Sequence, residues 1–482
     1  MPFLPSLPAD FAAREERLLG PRFAALYTYA TEAPARGVTV NTLRCPPAHF
    51  AALADFALTP SPFCGSAFVT PDAAFRPGYH PYHHAGVFYA QEPSASAPAA
   101  LLGVRPGMRV LDLCAAPGGK SSQLAAALAG QGLLVANEYQ PARAEILRQN
   151  LERMGVTNAV VLNEEPARLA EALPGFFDRV LVDAPCSGEG MFRKEPAALA
   201  QHSAALVCRC AALGEAILEA AAALLAPGGV LVYSTCTFAP AEDEGQIAAF
   251  LARHPAFSLD DLSTVGFGSP GEPNRAGELP WPAAACCRRI WPSDGGEGHF
   301  MARLQKAGEA RPMREAPSAA ARDVRPTGKA AKTGRPGKNG KPNASGSLPA
   351  DWQAFAAELL PALAQAPVET AGDWLILPPP LPWQPAGLRQ LRAGVLAGGG
   401  QKGRFQPAHA LFMAYGSQCR NREELTLADP RTAAWLRGEE IDARTAQNGW
   451  CAVLVDGFPL GGGKISGGRV KNHYPKGLRN LK

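Results

Sequence analysis

Residues 177–191 read FDRVLVDAPCSGEGM, and the fold class turns on how this stretch is parsed. Val180, Leu181 and Val182 form an aliphatic run without polar alternation, the pattern of a parallel strand covered on both faces. Asp183 stands where the run stops, and Pro185, lacking an N–H, prevents the ladder from continuing. Cys186 then lies in a loop made pliable by Ser187, Gly188 and Gly190. Ligands of open α/β sheets bind beyond the carboxyl ends of the strands, so an acid and a thiol three residues apart stand where chemistry is done. Taken alone, the stretch also reads as a strand-end Asp capping a loop beside an inert, buried Cys.

The same alternation of strand and helix extends on both sides and makes 96–305 an α/β region. RVLDL (109–113) is its first strand. CAAPGGK (114–120) follows, then a helix from about Ser121, whose hydroxyl can cap it, to Gly130. The second strand, LLVANE, ends at Glu138, and a helix over 141–154 carries Ile146, Leu147 and Leu151 as apolar positions. A third strand, AVVLN, leads to Glu164 and Glu165. Beyond the focal strand, an Ala/Leu helix from about Leu206 to Leu225 is stopped by Ala226-Pro227-Gly228-Gly229. GVLVYSTC then ends on a second thiol, Cys236, and EGHFMARL (297–304) reads as a late strand.

The flanks differ in character. Residues 1–95 suggest a small α/β domain, with a helix capped by Asp10 that buries Phe11, Leu18 and Leu19, and a strand over Gly37–Leu43. YHPYHHAGVFYAQEPSA (79–95) sets His80, His83 and His84 among aromatics. No acidic or Cys partner stands at ligand spacing, so an aromatic surface beside a substrate cleft, or plain packing, is favoured over a metal site. Residues 306–345 hold ten Lys/Arg against three Asp/Glu and almost nothing large and apolar, which predicts a disordered basic linker. It is either a gatherer of polyanions or a bare tether. In 346–482, DWQAFAAELL reads as a helix, LPPPLPW (377–383) as an extended loop, and Val453–Val455 as a strand of a small β-rich module. That module ends in the basic, aromatic string Lys464, Arg469, Lys471, His473, Tyr474, Lys476 and Arg479.

Composition narrows the classes. At 482 residues the chain exceeds one ordinary domain, and 47% apolar residues suffice for sizeable cores. A net charge of +4 confines any nucleic-acid affinity to local patches. Eleven cysteines, an odd number with no CxxC pair, speak against a disulfide framework and a structural metal. The first residues lack the basic start and apolar core of a secretory signal, and no stretch approaches the roughly 20 apolar residues of a membrane span. The expectation is a cytoplasmic protein without metal or membrane partner.

The chemistry lies in three loops. Gly118 and Gly119 allow close backbone approach to a ligand after a strand and before a helix, but the motif is neither GxGxxG nor a P-loop. Glu138, 26 residues after Asp112, stands where a carboxylate holds ribose hydroxyls, which suits S-adenosylmethionine as well as a dinucleotide. Cys186 and Cys236 end two strands of one sheet and can face one cleft. A thiol adding to C6 of a pyrimidine makes C5 nucleophilic towards a methyl group; a base then removes the C5 proton and the thiol leaves. An acid near N3 would neutralise charge during the addition, and Asp183 is placed for it. Two core thiols, or a redox pair, are the rival readings.

LDLCAAPGGKSSQLA, VDAPCSGEGMFRKEP and GGVLVYSTCTFAPAEDE together resemble the Sun-type RNA cytosine-5 methyltransferases. VNTLR (40–44) and HPYHHAGVFYAQEPSA look like that family's N-terminal region, and FPLGGGKISGGRVKNHYPKGLR like the PUA-like RNA-binding tail of its bacterial small-subunit ribosomal RNA members. The resemblance implies a Rossmann-like S-adenosylmethionine methyltransferase core between the small N-terminal domain and a PUA-like C-terminal region. It implies Cys236 as the nucleophile on C6 and Cys186 as the thiol assisting product release. Cys114, Ala115, Ala116, Pro117, Gly118, Gly119, Lys120, Glu138 and Asp183 would line the cofactor site, Asp183 also contacting the cytosine. The family's Asp near the adenine corresponds to Glu165, with Glu164 adjacent. Lys194 reaches the substrate or is simply solvated. The implied partner is RNA, most readily 16S ribosomal RNA, free or within the 30S subunit. Transfer RNA as substrate, and a non-catalytic RNA-binding assembly factor, are the alternatives.

Overall fold

A computed structural model describes residues 7–24, 34–311, 348–383, 387–401, 404–444 and 447–480. The expected basic linker, apart from its first residues to Arg311, therefore lies outside the described residues.

Aliphatic runs flanked by helices give a doubly wound sheet at the centre. In chain order it is built from β1 (Arg109–Asp112), α1 (Gly119–Ala127), β2 (Leu133–Asn137), α2 (Pro141–Arg153), β3 (Ala159–Leu162), β4 (Phe177–Asp183), α3 (Ala204–Leu224), β5 (Leu225–Thr235), α4 (Glu244–Arg253) and β6 (His299–Lys306). The spatial order is 3-2-1-4-5-6, with β1 to β5 parallel and β6 antiparallel to β5. Strand order reverses between β1 and β4, so the loops after these two strands flank the switch point where such sheets bind ligands. Both faces are covered, as the unalternated runs require: Val180 and Val182 pack towards Ile217 and Leu218 of α3, Leu181 towards Leu124 of α1 and Leu147 of α2. Each such side chain contributes about 1.5–3 kcal/mol on burial.

Local details depart from the sequence expectations. The first helix, Ala9–Leu19, starts one residue before Asp10, which occupies its first turn instead of capping it. Ser121 lies inside α1, and its hydroxyl donates to Asp112 Oδ2 at 2.6 Å. Ile146 is exposed while Leu147 and Leu151 are buried. The Pro-Gly-Gly stop belongs to β5 itself. Gly228 there has φ +70°, and a Cβ would fall 2.4 Å from the Ala310 nitrogen, so the position requires glycine on both counts.

The ends of the chain close on each other. A four-stranded antiparallel sheet near the N-terminus contains Gly37–Val40 and Phe88–Ala90, and a five-stranded sheet near the C-terminus contains Gly449–Val455 and Phe458–Ser466. They share one apolar core, in which Val38, Phe50 and Tyr82 join Trp435, Val453 and Leu460. The histidine-rich stretch forms this seam: His84 Nδ1 bonds the Tyr474 hydroxyl at 2.9 Å, and the Tyr82 hydroxyl donates to Asp456 at 3.0 Å. Of the readings left open for it, packing holds. No group of three or more potential metal ligands occurs among the described residues. The strand Gln390–Ala393 extends the central sheet beyond β3, antiparallel, with Arg392 opposite Val161. No helix among the described residues is long and apolar enough to cross a membrane.

Candidate active site

The loop after β1 is a pinned turn. Ala115 N–H donates to the Asn137 carbonyl at 2.8 Å, Asn150 Nδ2 to the Pro117 carbonyl at 2.9 Å, and Arg143 to the Ala116 carbonyl at 2.9 Å. Gly118 has φ +116°, and a Cβ there would sit 3.2 Å from Leu147, so the turn requires glycine. Beneath it, Asp112 is buried with its Oδ1 unpartnered, and burial pushes its carboxyl up to about 7. Glu138, one residue past β2, accepts the Gln140 N–H at 2.9 Å and has Arg143 at 3.7 Å. Cys114 to Lys120 and Glu138 thus gather at the ends of β1 and β2. Glu165 is placed differently. It is exposed at the cap position of the helix Pro166–Ala172, whereas the adjacent Glu164 is buried and accepts the Arg389 N–H.

The two thiols meet. Cys186 Sγ and Cys236 Sγ lie 3.4 Å apart, and the Gly190 N–H donates to the Cys236 carbonyl at 2.9 Å, tying the two loops together. A Cβ on Gly190 would fall 2.9 Å from that carbonyl oxygen. The Cys186 thiol is held protonated: its hydrogen bond with Cys236 raises it first, then burial and the charge of Cys236. Asp183 completes the group. Its Oδ2 accepts from Lys120 Nζ at 2.8 Å and its Oδ1 from the Ser234 hydroxyl at 2.7 Å. Burial raises its pKa, but the charge of Lys120, the neighbouring His299 and both hydrogen bonds outweigh that, and the carboxyl sits below its ordinary value. Asp183 is therefore an ionised acceptor and not the proton-bearing acid the sequence suggested near N3, and Lys120, whose burial lowers it but whose charge interaction and hydrogen bond with Asp183 raise it more, remains an ammonium.

Behind the thiols lies a sealed ionic set. Glu189, three residues after Cys186, accepts from Arg14 at 2.6 Å, shares a hydrogen bond with His202 at 2.8 Å, and accepts the Phe238 N–H at 3.2 Å. Arg14 comes from the first helix, whose Glu15 is bound by the fully buried Arg275. Glu242 accepts both the Ser187 N–H, at 2.9 Å, and its hydroxyl, at 2.6 Å. Burial pushes the Glu242 carboxyl up to about 7 against those bonds. His299 was not singled out by the sequence; it is buried on β6, its Nδ1 3.0 Å from the Ser94 hydroxyl, and burial first and then Lys120 lower it to about 3. Lys194 Nζ reaches the Ala35 carbonyl at 3.3 Å.

A 3-2-1-4-5 sheet with a glycine turn after β1, a carboxylate after β2 and paired thiols after β4 and β5 defines a Rossmann-like methyltransferase. Known proteins agree. Residues 99–305 match the family described as 16S rRNA methyltransferase RsmB/F, and residues 7–93 the N-terminal domain of 16S rRNA methyltransferase RsmF. Residues 354–415 match the RsmF rRNA methyltransferase first C-terminal domain, and residues 422–480 the methyltransferase RsmF PUA domain. The ribosomal RNA small subunit methyltransferase F of Klebsiella pneumoniae is 32% identical over 457 residues, 92% of this chain and 90% of that one. That of Vibrio vulnificus is 31% identical over 472 residues, 93% and 92% of the two chains. The alignment with the Erwinia tasmaniensis relative, at 37% identity, spans 58% of each chain. Among solved structures, a methyltransferase homologue from Pyrococcus horikoshii is 29% identical with a TM-score of 0.55, covering 61% of this chain and 94% of its own. The chain belongs to the ribosomal RNA small subunit methyltransferase F family.

Proposed function

We propose that the protein methylates C5 of a cytosine in 16S ribosomal RNA through a covalent bond between Cys236 and C6. The observation carrying this reading is the 3.4 Å approach of two thiols beside an ionised Asp183 in one cleft. S-adenosylmethionine would supply the methyl group. The pinned turn Cys114–Lys120, the unpartnered Asp112 Oδ1 beneath it and the Glu138 carboxylate fit a nucleoside-bearing cofactor. Glu165, exposed in the free protein, is the adenine-side candidate.

The residues divide the work. The target base leaves its stack to enter the cleft. The Cys236 sulfur adds to C6 as its thiolate. Asp183, an acceptor, holds the cytosine by its amino group and by N3–H once water has protonated the ring there; the Lys120–Asp183 pair fixes its orientation. Water takes the C5 proton, the protonated Cys186 donates to the departing Cys236 sulfur, which speeds release, and the proton leaving N3 through solvent restores the Cys186 thiol. The C-terminal module adds backbone affinity through Lys464, stacked over Trp450 at 5.7 Å, and Lys471.

Labelled S-adenosylmethionine offered with 16S RNA, 30S subunits or transfer RNA, followed by nucleoside analysis, tests this reading. It expects 5-methylcytidine in ribosomal RNA; label confined to transfer RNA, or RNA binding without label, overturns it. The family membership and the PUA match favour ribosomal RNA over the transfer RNA alternative.

A further inference from the structure

At the opposite end of the sheet, where β1, β4 and β5 begin, a cavity of about 380 Å³ is lined by Arg105, Arg109, Arg179 and Arg311. Asp178 is the single acidic residue among the described lining residues, and one of its oxygens accepts the Arg109 N–H at 2.8 Å. Arg105, Arg179 and Arg311 gathered around so little negative charge repel one another unless an anion joins them.

The cationic arms are held in place by neutral groups. The Arg109 guanidinium lies 4.5 Å from the Phe176 ring centroid. Arg311 donates to the Phe176 carbonyl at 2.9 Å and to that of Gly175. Arg179 Nη1 donates to the Asp178 carbonyl at 2.8 Å, while its Nε is buried without a partner. Among the described residues no carboxylate forms an ion pair with Arg105, Arg179 or Arg311. Burial and then the charges of Arg303 and Arg105 lower the Arg179 pKa, against the pull of Asp178. The backbone shapes the wall as well: glycine at 228 lets the chain at Ala310 pass close by, which brings Arg311 to the rim.

We propose that this cavity binds phosphate groups of the RNA backbone at a second contact, away from the cleft that takes the target base. The seven residues of β4 separate the two places by about 20 Å, at roughly 3.3 Å per residue. The sequence beyond Arg311 favours a phosphate of RNA over a small phosphorylated molecule. Residues 312–347 hold eight Lys/Arg against two Asp/Glu, so the cationic rim continues directly into a cationic stretch of chain. The site thereby anchors a segment of a long substrate while another segment is modified. This inference rests on RNA being the substrate, and its readout is binding alone, so it stands or falls separately from the methyl-transfer chemistry.

The test measures the Kd of the full chain for an end-labelled full-length 16S RNA transcript across about 50–300 mM KCl, for wild type and Arg105→Ala/Arg179→Ala. Removing two guanidinium groups that each neutralise a phosphate should lower the slope of log Kd against log salt by about two and weaken the low-salt Kd by at least about tenfold. Arg105→Glu, on an exposed side chain that folding does not need, should repeat the direction. An unchanged slope in folded variants overturns the proposal. So does thermal stabilisation of wild type, but not the double variant, by about 5 mM pyrophosphate with the RNA slope unchanged, because the cavity then serves a small phosphorylated ligand. A lowered slope in a protein that transfers no methyl group supports the second contact and counts only against the catalytic reading.

Discussion

Two ion pairs flank the loop that carries Cys186, and they are built oppositely. Lys120 and Asp183 lie 2.8 Å apart at the cleft, with nearly a third of the Asp183 side chain open. Arg14 and Glu189 lie 2.6 Å apart with Glu189 wholly covered, and His202 and the Phe238 N–H bond it as well. The open pair leaves Asp183 oriented, charged and able to take a further partner. The closed set is sealed from solvent and fixes the loop through three hydrogen bonds. One end of the sheet therefore separates the carboxylate that we propose meets the substrate from the carboxylate that braces the loop of the thiol.

The sharpest way to separate the two is to remove the group they both serve. Cys236→Ala is expected to lower methyl transfer by on the order of 10⁴-fold or more with cofactor binding retained, since a covalent route has no substitute nucleophile. Isothermal titration and a labelled-methyl assay on one preparation read both quantities. Asp183→Asn should cost about 10²–10³ in kcat through the lost negative charge, with a denaturation midpoint close to wild type. A large fall in stability would mean the open pair is structural after all. Glu189→Ala should do the reverse in emphasis. It leaves the covered His202 without its acceptor, while Arg14 keeps Glu15 at 2.8 Å, and urea unfolding should show a loss of about 3 kcal/mol. Unchanged stability would break the contrast.

The smallest effect belongs to Glu242. Its folded carboxyl is raised from 4.5 to about 7, so between those values the folded state holds a proton that the unfolded state has lost. Its contribution to stability therefore falls as pH rises through that window. Glu242→Gln should match wild type near pH 5 and gain on it near pH 8 in urea midpoint; parallel curves at both pH values would remove Glu242 from the titration.

What the sequence conveyed obeys the same division. Strand-end motifs are local: Asp183, Cys186, Cys236 and the 114–120 turn each sit within a few residues of the aliphatic run that positions them, and the sheet brings the thiols together as their placement suggested. The supporting set is not local. Arg14 lies 175 residues from Glu189, and Arg275 lies 260 from Glu15, distances over which single-sequence patterning carries no signal. The AEDE run containing Glu242 and the charges of the first helix are the local signals that could have pointed to these acids and bases. The strand Gln390–Ala393 likewise joins β3 from across the basic stretch. Ser121 and Asp10 misled for a common reason: a hydroxyl or carboxylate near a helix start serves a cap or a neighbour equally well, and only the packed structure decides.

The central claim is that Cys236 bonds to RNA and Cys186 lets it go, and denaturing gel electrophoresis after incubation with S-adenosylmethionine and 16S RNA tests it most directly. Cys186→Ala should accumulate a protein–RNA adduct stable to denaturant, and Cys186→Ala/Cys236→Ala should form none. An adduct that survives in the double variant, or a Cys186→Ala protein that turns over at the wild-type rate without trapping RNA, would contradict the account.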